Sequence, residues 1–230
     1  MPSVSQIKKR LEQSPTRPEG ATDLAVETTR RTRALWSLAA AVAGSLVMQL
    51  AIIGTAALMG GASAYDGTSS MLLSSRPQLS DVAAVLGMNS AWLAAIAMLA
   101  WPIARLWSWS IHDTWDRPGV NTAARVLYPL VAALLLIALW WVFSQQAMAL
   151  DQHLESHWAL FATLAHGTFE LTALILPLSV AASCIIAPAE RPGRLLLRAL
   201  AVSLPLLVCA AFIEIYLTPH LLFPFRLHSG

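Results

Sequence analysis

Five long apolar runs alternate with short polar connectors along this chain, at residues 35 to 59, 82 to 104, 126 to 149, 160 to 187 and 195 to 217. A helix rises about 1.5 Å per residue and the hydrocarbon layer of a bilayer is about 30 Å thick, so each run is long enough to cross it as a helix. The pattern predicts an all-α integral membrane protein with five transmembrane helices. Pro188 and the turn Arg191-Pro192-Gly193-Arg194 close the fourth run and open the fifth, which makes those two spans an antiparallel hairpin.

The connectors differ in charge, and the difference gives an orientation. Gly60 to Asp81 carries a single base, Arg76, whereas Arg105 to Arg125 holds Arg105, Arg117 and Arg125 among Trp107, Trp109 and Trp115. Asp151 to His157 has no lysine or arginine, while the link between the last two runs holds Arg191 and Arg194, with Arg198 following. By the positive-inside bias the amino terminus is cytoplasmic and the carboxy terminus extracytoplasmic, leaving residues 220 to 230 as an external tail. Residues 1 to 33 set Lys8, Lys9, Arg10, Arg17, Arg30, Arg31 and Arg33 against Glu12, Glu19, Asp23 and Glu27. They read as a basic cytoplasmic tail or, from Thr22 to Arg33, as an amphipathic helix on the membrane surface. Because the first apolar run begins only after Arg33, no cleaved signal peptide is expected.

Composition narrows the class without altering this picture. With 57% hydrophobic and 12% charged residues and a mean hydropathy of +0.60, the chain is too apolar for an ordinary soluble domain. A net charge of +2 gives no reason to expect nucleic acid as a partner. Cys184 and Cys209 lie in apolar runs without metal-type spacing and read as small buried hydrophobes.

Chemistry enters where ionisable residues interrupt the apolar runs. His166 and Glu170 are four residues apart, so a helix places them on one face about one turn, or ~6 Å, apart. Glu214 lies in the fifth run about one turn before Thr218-Pro219, where that span is expected to leave the membrane. Asn89 is about two turns into the second run. Charged groups facing lipid cost a few kcal/mol or more, so these four, from three spans, are expected to face inward and meet in the outer half of the membrane. The bland account is structural: Asn89 as an interhelical hydrogen bonder, His166 satisfying a carbonyl or an acid, and the two glutamates as a protonated, hydrogen-bonded pair.

His166-Gly167-Thr168-Phe169-Glu170-Leu171, followed after a basic turn by Ala210-Ala211-Phe212-Ile213-Glu214-Ile215-Tyr216-Leu217-Thr218-Pro219, resembles the carboxy-terminal signature of the stage II sporulation protein M family. In that family a His-Gly-x-Phe-Glu segment leads to a glutamate shortly before Thr-Pro in the last span. The resemblance covers roughly residues 160 to 219 and implies a multi-span protein of the bacterial inner membrane with its amino terminus inside. It further implies a role in the cell envelope beside peptidoglycan-remodelling partners.

Three functions are compatible with these residues. The first is a non-enzymatic envelope component in which the His-Glu-Glu group locks helices together. The second is an intramembrane zinc-dependent hydrolase using His166, Glu170 and Glu214, since one imidazole and two carboxylates suit zinc with a position open for water. His153, His157 and His220 lie on the same side as secondary candidates, and the four-residue spacing of the first two suits one ion if their segment is helical. The third, a proton- or ion-coupled transporter, also uses buried acids but usually carries internal repeats, and none is visible here. Pro177 and Pro205 introduce kinks near mid-span. Gly44 and Ser45 in the first run suit close approach to a second copy, so a homodimer or a complex with other membrane proteins is expected.

Overall fold

The computed structural model describes residues 19–59, 78–112, 118–186 and 192–225, with the side chains of 19–27, 29–30, 103–125 and 185–186 left aside. The expected basic segment up to residue 18, the connectors at 60–77, 113–117 and 187–191, and the last five residues lie outside it. So do the side chains of Arg105, Trp107, Trp109, Trp115, Arg117 and Arg125. The chain divides into two compact units, residues 1–36 and 37–230, and the bundle of packed helices lies within the second.

Among the described residues the protein is all-helical, without strands. The elements are α1 (Glu19–Met59), α2 (Leu79–His112), α3 (Pro118–Asp151), a 3-10 segment (His157–Thr163), α4 (Leu164–Ile186), α5 (Pro192–Phe212), a π-helical turn (Ile213–Leu217), α6 (Thr218–Leu222) and a 3-10 turn (Phe223–Phe225). Five stretches are long and apolar enough to cross a membrane: Arg31–Met59, Leu79–Pro102, Val126–Asp151, His157–Cys184 and Pro192–Phe225. Residues 22–33, expected as a separate surface helix or a tail, are helical within Glu19–Met59.

The fourth stretch is the middle of the bundle. In its most apolar window 61% of the residues are buried, against 11% for the third, so α4 is surrounded by protein while α3 turns most of its side chains outward. Leu130, Leu134, Ile137 and Trp141 on α3 are all at least half exposed and recur at helical spacing. Such a stripe would be a liability in water and is the surface expected of a multi-pass membrane protein. The α4/α5 hairpin has the most extensive helix contact, and α2 packs on both of its arms. Ala41 and Ile52 of α1 and Tyr128 of α3 join Leu171, Ile175 and Val180 of α4 in one core cluster.

Polar contacts tie three of its neighbours to α4. Ser45 of α1 meets Thr172 with their hydroxyl oxygens 2.9 Å apart. Tyr128 of α3 donates its hydroxyl to the Leu178 carbonyl. Ser203 of α5 donates to the Ala173 carbonyl at 2.7 Å. That last bond has a local cause: Pro177 lacks the N–H that would serve the carbonyl four residues earlier, so Ala173 needs a donor from elsewhere. Ser203→Ala should therefore cost about 1 kcal/mol. The cost should shrink when Pro177→Ala restores the helical donor, a coupling that a double-mutant cycle of unfolding in micelles would measure.

Three expectations change here. Gly44 and Ser45, expected at a contact between copies, are used inside the chain. A Cβ on Gly44 would stand 3.8 Å from Ile175, and Ser45 is committed to Thr172. Cys209 is exposed, not buried, because it falls on the outward side of α5, whereas Cys184 is buried in the core. Residues 220–225, expected as an external tail, continue the fifth helix. Leu222 is fully buried with Leu154 and Leu160, and the Phe225 carbonyl accepts from the Glu155 N–H at 2.8 Å.

Candidate functional site

The face of α4 that carries His166 and Glu170 at positions i and i+4 points into the bundle, toward the end of α5. There Glu214 enters from the π-helical turn. One donor atom from each of these three side chains lies within 4.8 Å of the other two, and all three residues are buried. Asn89 of α2 is fully buried beside Glu170, close enough to interact with it, although neither amide atom reaches a partner at full hydrogen-bonding geometry. The four polar residues singled out in three apolar runs thus stand together.

The orientation of the imidazole follows from Thr218, read from the sequence as the helix exit and the end of the family signature but not as part of the site. His166 Nδ1 is 2.9 Å from Thr218 Oγ1, and that hydroxyl in turn donates to the Ile213 carbonyl at 3.1 Å. A hydroxyl has one hydrogen. With it directed at Ile213, Thr218 accepts, so the His166 Nδ1 carries the proton and, in the neutral ring, Nε2 keeps its lone pair. The Ile213 carbonyl also receives the Thr218 N–H, the five-residue bond of a π turn. Pro219 explains why the wide turn occurs here. It has no N–H to continue an ordinary ladder, and it sits near the start of α6, where none is needed. Wide turns of this kind occur frequently at functional sites.

Gln49 of α1 completes the wall. Its Nε2 donates to the Thr163 carbonyl at 3.2 Å, and the carboxamide lies against Gly167 so closely that a Cβ there would stand 2.1 Å from Nε2. Glycine next to His166 thus leaves the room in which the Gln49 carboxamide sits. The other amide atom, Gln49 Oε1, is buried and has no hydrogen-bond partner among the described residues.

A partly enclosed cavity of about 60 Å³ adjoins the cluster, lined by Gln49, Gln146, Thr163, His166, Glu170 and Glu214 together with apolar side chains from α1, α3 and α4. The volume holds a few waters. Among the described residues no lysine or arginine lines it. His166, Glu170 and Glu214 are the group with the donor set for a metal ion among the described residues.

The secondary histidines are elsewhere. Residues 152–156 form a turn, so His153 and His157 never acquire the helical spacing expected of them. His153 is exposed, and His157 Nδ1 contacts both oxygens of the buried Asp151 at 2.8 and 2.7 Å, which closes the turn between α3 and the 3-10 segment. His220 is exposed on α6. None of the three joins the cluster.

Gln49, Gln146, Thr163 and Thr218 are members of the site that sequence reasoning did not select. Gln49 had a readable signal, since it is a lone amide inside an apolar run, as Asn89 is. No protein-family model, curated protein or solved structure matches this chain.

Proposed function

We propose that this chain is a multi-span component of the bacterial cytoplasmic membrane that assembles with envelope-remodelling enzymes, and that its buried polar cluster fixes the spans to which those partners dock. One observation supports this reading above the others. The residues that carry the resemblance to the stage II sporulation protein M family, His166, Gly167, Glu170, Glu214 and Thr218, are 52 positions apart at their extremes and come together in one buried place. A signature that marked only two apolar helices would have no reason to converge. The connector charges orient the protein with its amino terminus in the cytoplasm and the cluster toward the outer leaflet.

The test is genetic and biochemical. Deletion of the gene in its own host should alter peptidoglycan composition or cell shape, and in-cell crosslinking of a tagged copy should recover envelope enzymes. A deletion strain with unchanged wall and shape, whose tagged protein crosslinks to no envelope enzyme, would remove the proposal. The orientation is checked separately by labelling single cysteines in a Cys184→Ser, Cys209→Ser background. A cysteine at Glu155 should react with an impermeant maleimide in whole cells, and one at Gly193 only after lysis.

A further inference from the structure

We infer that His166, Glu170 and Glu214 hold one divalent transition-metal cation, zinc by the chemistry of the donors, with a water as fourth ligand in the adjoining cavity. This goes beyond the assembly role and does not depend on it.

The donor set is the first argument. One imidazole nitrogen and two carboxylates make a three-ligand zinc site with an open position. Two ligands at about 2.1 Å from a tetrahedral zinc stand about 3.4 Å apart. A spacing within 4.8 Å is therefore slightly open, and small side-chain rotations close it around an ion.

Charge is the second. Two carboxylates in an apolar interior, with no lysine or arginine lining the cavity among the described residues, need two positive charges or two protons. A dication supplies both charges in one place.

The third is the condition of the surrounding polar groups. His166 gives its Nδ1–H to Thr218, which fixes the ring and leaves Nε2 for a metal, the outer-shell arrangement usual for a ligating histidine. Gln49 Oε1 is a buried acceptor in the cavity wall with no donor among the described residues. Its amide cannot be turned around, because Nε2 is needed by the Thr163 carbonyl and a flip would set two carbonyl oxygens against each other. A metal-bound water has hydrogens to give, and the cavity has room for it. That water is the donor Gln49 lacks. Asn89, with both amide atoms unsatisfied beside Glu170, is placed to orient that carboxylate.

The experiment uses the full-length protein purified in detergent without chelator and supplied with zinc chloride. Elemental analysis should find one zinc per chain. Cobalt chloride added to chelator-treated protein should give the visible absorption of a four-coordinate ion. Glu170→Gln, Glu214→Gln and His166→Gln should each lose the metal while eluting as monodisperse protein. Thr218→Val, which removes the acceptor behind the imidazole together with the hydroxyl's own bond to the Ile213 carbonyl, should weaken zinc binding ~10–100-fold, and Thr218→Ser, which keeps the hydroxyl, should bind as the parent does. Substituting the exposed His153 and His220 by alanine, and His157 by asparagine so that Asp151 keeps a donor, should leave zinc binding unchanged, which separates this site from adventitious surface binding. Wild-type protein with no stoichiometric metal and no cobalt spectrum would overturn the inference in favour of a protonated acid pair. Metal kept by the Glu214→Gln and His166→Gln variants, or lost with the surface histidines, would overturn it as well.

Discussion

Glu214→Leu is expected to lower the stability of chelator-treated protein by about 2–4 kcal/mol, while Glu214→Gln stays within about 1 kcal/mol of the parent. Leucine fills much the same space but offers no donor or acceptor, so the lone pair of His166 and the carboxyl of Glu170 would face a purely apolar neighbour. Glutamine keeps one group of each kind. Working without metal isolates this effect, because both variants also remove a proposed ligand. The nine tryptophans supply a fluorescence signal for unfolding in mixed micelles. Equal losses for the two variants would mean that Glu214 has no polar partner in the cluster.

A second large effect is expected at Gly167. An alanine methyl there would stand 2.1, 2.3 and 2.6 Å from Nε2, Oε1 and Cδ of Gln49, far inside contact distance. The carboxamide has to leave, breaking its bond to Thr163 and withdrawing a polar wall from the cavity. A loss of about 1–3 kcal/mol is expected. Gln49→Ala removes the obstacle, so Gly167→Ala should cost much less in that background than in the parent. Additive costs across the double-mutant cycle would show that glycine is needed for some reason other than the approach of Gln49.

Much of this architecture was legible from the chain because lipid imposes a severe rule. A spanning helix needs about 20 apolar residues, and an acid within one needs a partner. That rule exposed five helices and pointed at His166, Glu170, Glu214 and Asn89 as residues that had to face inward. It had less to say about side chains that are merely polar. Thr218 looks like the residue before a terminating proline, and only the folded chain reveals that a wide turn lets the helix pass Pro219 and aims the hydroxyl at His166. Gln49 was open to the same argument as Asn89, but its placement depends on an approach across Gly167 that spacing along the chain does not encode. His153 and His157 misled for the opposite reason. Their interval fits a helix, yet the chain bends at 152–156, where Asp151 captures His157 instead. Gly44 and Ser45 are suited to close packing against any helix, and the one they meet belongs to the same chain.

The wide turn at Ile213–Leu217 amounts to one residue more than a regular helix would use over the same rise. Were the segment to return to ordinary pitch with none of its residues removed, everything beyond it would spin by about 100°. Thr218 would swing off the imidazole, and Leu222 would leave its seat against Leu154 and Leu160 in the same movement. The terminal helical turns and the histidine are thus geared together, so that a disturbance at the tip of the last helix is transmitted as a rotation to the heart of the bundle.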